Sequence, residues 1–125
     1  MTGDLRVGDE RVDEFEVDDR LTTDVGGTIG TPVLSTPGMI AMMERNSAVL
    51  VFPKLPDGKA SVGFEVCVKH VGAAFTGARC TVRSTLREIA DARKLRFEVE
   101  VREGDRVIGV GTHERRVVDA RGPEG

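Results

Sequence analysis

"STPGMIAMMERNSAVLVF", Ser35 to Phe52, is the most apolar stretch of the chain, and it carries a glutamate in its middle. Ser35 or Thr36 suits a helix N-cap, Pro37 suits the first helical position, and Pro53 stops the run. The stretch therefore predicts one helix, at about residues 37–52. It is apolar nearly all round, as expected of a helix enclosed by other structure rather than laid on a surface.

The segments on either side say what encloses it. Upstream, RVDEFEV (Arg11–Val17) alternates apolar and acidic residues and predicts a strand. Asp18–Pro32, ending in VGGTIGTP, predicts a long mobile loop of the kind that forms lids or binding loops. Downstream, LPDGK (Leu55–Lys59) predicts a turn. The rest of the chain alternates. In SVGFEVCVKH, Val62, Phe64, Val66, Val68 and His70 share one face, opposite Ser61, Gly63, Glu65, Cys67 and Lys69. Cys80, Val82, Ser84 and Leu86 line one face of the next strand, and Leu95, Phe97, Val99 and Val101 line one face of the third. A turn at Glu103–Asp105 leads into the last strand, Arg106–Val118, and a flexible tail is expected over about 119–125.

One strand, one apolar helix and four consecutive strands make an α+β arrangement. Consecutive strands with short turns favour an antiparallel sheet. A curved antiparallel five-stranded sheet wrapped around one central helix, the hotdog fold, covers both the helix and the sheet's apolar face. Residues 1–125 are expected to form a single such domain. Edge-to-edge pairing into a homodimer, or a dimer of dimers, would cover an exposed edge strand.

Composition narrows the function. The net charge of −3, from 18 basic and 21 acidic residues, offers no electrostatic footprint for nucleic acid. No apolar run approaches a membrane span, and the charged N-terminus does not resemble a secretory signal, so a soluble cytoplasmic protein is expected. Cys67 and Cys80, with no CxxC and no His/Cys cluster, suggest reduced thiols and no metal site.

Few residues could carry chemistry. Glu44 shares its helix face with Ile40, Ala48 and Val51. A carboxylate in an apolar arc is costly unless it is paired or used. It is therefore either ion-paired or solvated at an opening, or it is a catalytic group. His70 ends the apolar face of its strand, as a half-exposed strand-end residue or as an acid/base facing the helix. Thr36 either caps the helix or contributes a hydroxyl beside the free N–H groups of the helix start. Gly63 marks either a bulge or a close approach of ligand to backbone. His113, among Glu114, Arg115 and Arg116, reads as a solvated strand end.

STPGMIAMMERN, VGFEVCVKHVGAA and IGVGTHERRVV resemble the corresponding segments of the fluoroacetyl-CoA thioesterase-like hotdog proteins, as does the opening LRVGDERVDEFEV. The similarity runs from Leu5 to Val118. It implies acyl-CoA thioester hydrolysis by Thr36, Glu44 and His70. Glu44 would attack the carbonyl or activate water, His70 would act as acid/base, and Thr36 would hold the carboxylate or the substrate. It also implies that Gly63 approaches the substrate carbonyl and that CoA is part of the substrate, with no separate cofactor. Arg83, Arg87, Arg93, Lys94 and Arg115 are the candidate cations for CoA phosphates. The family enzyme closes a phenylalanine lid over the acyl group. The matching DVGGTIGTPV (residues 24–33) has no aromatic residue, which points to a different short or medium acyl group. The alternatives are a non-catalytic binder of acyl-CoA or another hydrophobic ligand, and a hotdog hydratase or dehydratase.

Overall fold

The computed structural model of the protein describes residues 4–120. Strand β1 (Glu10–Glu16) is followed by a 3-10 turn (Asp19–Leu21), two short strands β2 (Thr22–Thr23) and β3 (Val33–Leu34), and helix α1 (Thr36–Val51). Then come β4 (Lys59–His70), β5 (Arg79–Ala90), β6 (Lys94–Glu103) and β7 (Arg106–Asp119). The main sheet is antiparallel with five strands in the order β1-β5-β6-β7-β4, packed on the one long helix. This is the hotdog architecture that the order of elements implied.

The core lies between α1 and the sheet's inner face. Met39, Met43, Leu50 and Val51 of the helix are buried with Cys80, Val82 and Leu86 of β5 and Leu95, Phe97, Val99 and Val101 of β6. Burying each such side chain contributes on the order of 1.5–3 kcal/mol. Ser47 and Ser84 are polar residues in this interior. Ser47 Oγ donates to the Met43 carbonyl, so Ser84 donates in the 2.7 Å bond between the two hydroxyls, and both are satisfied.

Four expectations need correction. The helix is not enclosed on all sides within one chain, because Pro37, Ala41 and Arg45 are exposed. The Asp18–Pro32 segment is not structureless, since β2 and β3 pair antiparallel (Thr22 with Leu34, Thr23 with Val33) and leave only a turn-rich tip. Of the tail expected to be flexible, Asp119 ends β7 and Ala120 donates to the Gly58 carbonyl; residues 121–125 lie outside the described residues.

The fourth correction concerns β4. Its register against β7 slips between Gly63 and Glu65, leaving Phe64 as a bulge. Val62 and Phe64, expected to face the helix, are exposed instead, and the Arg116 guanidinium lies 3.6 Å over the Phe64 ring. β4 pairs only with β7, so its outer edge is open.

Candidate active site

The residues singled out from the sequence fall into two clusters. The first is at the start of α1. Ser35, not Thr36, caps the helix: its Oγ accepts from Gly38 N at 2.9 Å. With the cap supplied by its neighbour, the Thr36 hydroxyl is free to meet His70 Nδ1, also at 2.9 Å. The helix start offers few open amides, contrary to expectation. Pro37 has none, Gly38 N is taken by the cap, and Met39 N bonds to the Ser35 carbonyl.

His70 Nε2 is buried and has no hydrogen-bond partner. A buried, unpaired ring nitrogen is uncommon in a folded protein and calls for an explanation. Burial pushes the His70 pKa below the usual imidazole value, with the Gly72 backbone acting the other way. The neutral ring, which can accept a proton, is therefore favoured at neutral pH.

The second cluster surrounds Glu44. A Cβ at Gly63 would fall 2.5 Å from Glu44 Oε2, 3.6 Å from His113 Cε1 and 3.7 Å from Arg115 Nη1. The missing side chain of Gly63 thus makes a notch that the Glu44 carboxylate occupies. Arg115 is 7% exposed and donates to Ser61 Oγ (2.7 Å) and to the Ser61 carbonyl (2.9 Å). Its Nη1 lies 3.1 Å from His113 Nε2, and His113 Nδ1 lies 2.9 Å from the Glu65 carbonyl. These partners fix one tautomer: Nδ1–H donates to Glu65, and Nε2 accepts from Arg115. His113 is 2% exposed and stacks near Phe97, with ring centroids 6.1 Å apart. It is not the solvated strand end expected from its charged neighbours.

Burial lowers the His113 pKa; the Glu65 carbonyl opposes this, the Arg115 charge adds to it, and the Glu44 charge opposes it. Burial lowers that of Arg115 as well, against the Glu44 charge. Both histidines bind protons less readily folded than unfolded. Their contribution to stability is fully present above the unfolded value, about 6.5, and is lost as pH falls through the folded values. The thermal midpoint should be flat above about pH 7 and decline below about pH 6. His113→Gln should flatten that decline; a midpoint that rises on acidification from 6.5 to 5 would contradict the assignment.

Thr36 and His70 are together; Glu44 is not with them in one chain. Thr36 and Glu44 are about 12 Å apart along the helix axis. Gly63 and His70 are roughly 20 Å apart along β4. Among the other cations proposed from the sequence, Arg83 pairs with Glu10 and Glu100, Arg87 with Glu98, and Lys94 with Asp91. Sequence reasoning missed His113 and Ser61. The inward face that His113 shares with Arg115 and Val117 is set by the pairing of β7 with β4 and β6, and three consecutive charged residues after it masked that face in the sequence.

The chain matches the fluoroacetyl-CoA-specific thioesterase family over residues 17–121. It belongs to that family. It is 36% identical over 86 residues to the fluoroacetyl-CoA thioesterase of Streptantibioticus cattleyicolor, a match that covers 69% of this chain and 61% of that relative. The solved structure of the fluoroacetyl-CoA thioesterase FlK superposes with a TM-score of 0.84 at 30% identity, covering 93% of this chain and 90% of that one. A variant of FlK solved in complex with acetyl-CoA superposes equally well, covering 92% of this chain and 90% of that one. A thioesterase superfamily member from Thermus thermophilus follows at 0.83 and 25% identity, covering 93% and 85%. Among the described residues, no helix is long and apolar enough to cross a membrane.

Proposed function

We propose that the protein hydrolyses acyl-CoA thioesters carrying a short or medium acyl group, with Thr36, Glu44 and His70 as the catalytic groups. The observation that carries this reading is the buried Nε2 of His70, unpartnered while Nδ1 is held by Thr36. A ring oriented on one nitrogen and open on the other is arranged to exchange a proton with something absent from the free protein. Family membership and the acetyl-CoA complex of the FlK variant support a CoA thioester as that partner.

In the scheme, Glu44 either attacks the thioester carbonyl carbon, forming an anhydride as the thiolate leaves, or takes a proton from the water that attacks. In the first route water then opens the anhydride, releasing the acid and restoring the Glu44 carboxylate, and His70 Nε2 takes that water's proton; in the second the proton taken by Glu44 passes through His70. In both, the water's proton ends on the departing thiolate sulfur and the ring returns to its neutral form. Thr36 orients the imidazole. The Gly63 backbone N–H, beside the Glu44 carboxylate, is the candidate group to polarise the carbonyl oxygen. CoA is part of the substrate, and no cofactor enters the scheme. The tip of the β2–β3 ribbon carries Val25 and Ile29, both exposed, and no aromatic residue, so the acyl group it would cover need not be fluoroacetyl.

The two clusters would complete one another in a homodimer. Antiparallel pairing of the open β4 edge with its copy, about a two-fold at mid-strand, sets the His70 end of one strand beside the Lys59–Gly63 end of the other. Glu44 of the partner subunit then approaches the Thr36–His70 pair. Exposed Val62, Phe52 and Val71 support contact on this side of the molecule.

Thiol release from a panel of acyl-CoAs, acetyl to octanoyl with fluoroacetyl included, tests the reaction. Turnover is expected to be fastest on a member other than fluoroacetyl-CoA. Tight binding of CoA esters with no thiol released from any of them would make the protein a binder instead.

A further inference from the structure

The Arg115 cluster contains a charge that its own contacts do not neutralise. Its three hydrogen bonds go to a hydroxyl, a carbonyl and a neutral imidazole. Among the described residues, no carboxylate lies within ion-pair distance of it. A guanidinium this deeply buried is costly unless an anion is near. Glu44 is the acidic group whose charge reaches it. Arg115 Nη1 and Glu44 Oε2 lie on either side of the Gly63 notch. Burial and these bonds also make Arg115 a poor contact for a CoA phosphate, because a phosphate would have to displace Ser61 and His113.

We infer that Arg115, locked by Ser61 and His113, is a positioning residue that holds the Glu44 carboxylate in the notch at Gly63. The rack is rigid where it needs to be. Ser61 grips the guanidinium at two nitrogens, which fixes its plane. His113 supports a third bond and is itself anchored to the Glu65 carbonyl just past the bulge. All of its parts stand on β4 and β7, which pair through twelve-residue and fourteen-residue strands. The carboxylate sits on the helix opposite. The long-range attraction of one fixed cation thereby sets the rotamer of a side chain that has no hydrogen bond of its own to fix it. Such placement matters for rate more than for binding, because an error of about 1 Å in a reacting group can cost about 100-fold.

This inference rests on the proposed role of Glu44, and its test separates the two. Arg115→Met should lower kcat by about 10–100-fold with KM little changed. Arg115→Lys, which keeps the charge but not the fork, should recover part of that loss. In the Glu44→Gln background, Arg115→Met should cost nothing further, because the group it positions is already gone. A merely structural arginine would cost as much in both backgrounds, and that result would overturn the inference. If Arg115→Met does not fold, Ser61→Ala replaces it; this variant loosens the guanidinium without removing the charge and should reduce kcat roughly 3–10-fold. Crystal structures of wild type and the Ser61→Ala or Arg115→Met variant give a reading independent of activity. The carboxylate should leave the notch in the variant. A Glu44 rotamer that stays put would overturn the inference even if the enzyme is a thioesterase, and a carboxylate that leaves would support it even if wild type hydrolyses nothing.

Discussion

Glu44→Gln is expected to lower kcat by about 1,000-fold on the thioester that wild type turns over, with KM little changed, and His70→Ala by a similar factor. Glutamine keeps the size and the helix but can neither attack a carbonyl nor take a proton. Alanine removes the group proposed to pass a proton to the leaving sulfur. The decisive step is to mix the two inactive variants. Within one chain Thr36 and His70 stand together and Glu44 stands at the far end of β4. If the site is built across the two-fold, a mixed dimer contains one site with both groups intact. Random reassortment should therefore recover about a quarter of wild-type activity, because half the dimers are mixed and each has one working site of two. Activity that stays at the level of the single variants would mean that the groups act within one subunit, and the shared site would be abandoned.

Gly63→Ala should lower kcat about 100-fold while leaving the melting temperature nearly unchanged. The added methyl would sit 2.5 Å from Glu44 Oε2, closer than any real contact of that kind. The obstructing atom is the end of a flexible side chain, so it can swing away and the fold is kept. The backbone at Gly63 is not in the left-handed region either, so alanine meets no conformational penalty there. What is lost is the seat of the carboxylate. A Gly63→Ala variant with wild-type kcat would show that the notch position has no part in the reaction.

Much of the fold was legible because the signals were local. The proline pair and apolar run bounded α1, and strict alternation in β5 and β6 put Cys80 to Leu86 and Leu95 to Val101 on the buried face. The misreadings share a cause: each depended on contacts distant in the chain. The Phe64 bulge is set by pairing with β7, so strict alternation turned Val62 and Phe64 the wrong way. His113 is followed by three charged residues, but Glu114 is buried in ion pairs with Arg96 and Arg116 and Arg115 turns inward beside the histidine, so charge in the sequence did not mean solvent; the burial of His113 follows from packing against Phe97. The β2–β3 ribbon has only two residues in each strand, too short for periodicity to show. At the site, the sequence could nominate Thr36, Glu44 and His70, but no spacing rule could say that the first and last would meet while Glu44 kept company with Arg115.

Gly63 and His70 are seven residues apart, an odd number. In a regular strand they would look toward opposite faces, one inside and one in solvent. The single extra residue at Phe64 shifts the parity, and both look inward. One strand can then serve as the wall of two half-sites, which the proposed two-fold axis would join into two whole ones. The consequence is that strand length is itself heritable chemistry here. Losing one residue between Gly63 and Glu65 would leave every proposed catalytic side chain encoded and still separate the carboxylate's seat from the histidine by the thickness of the sheet.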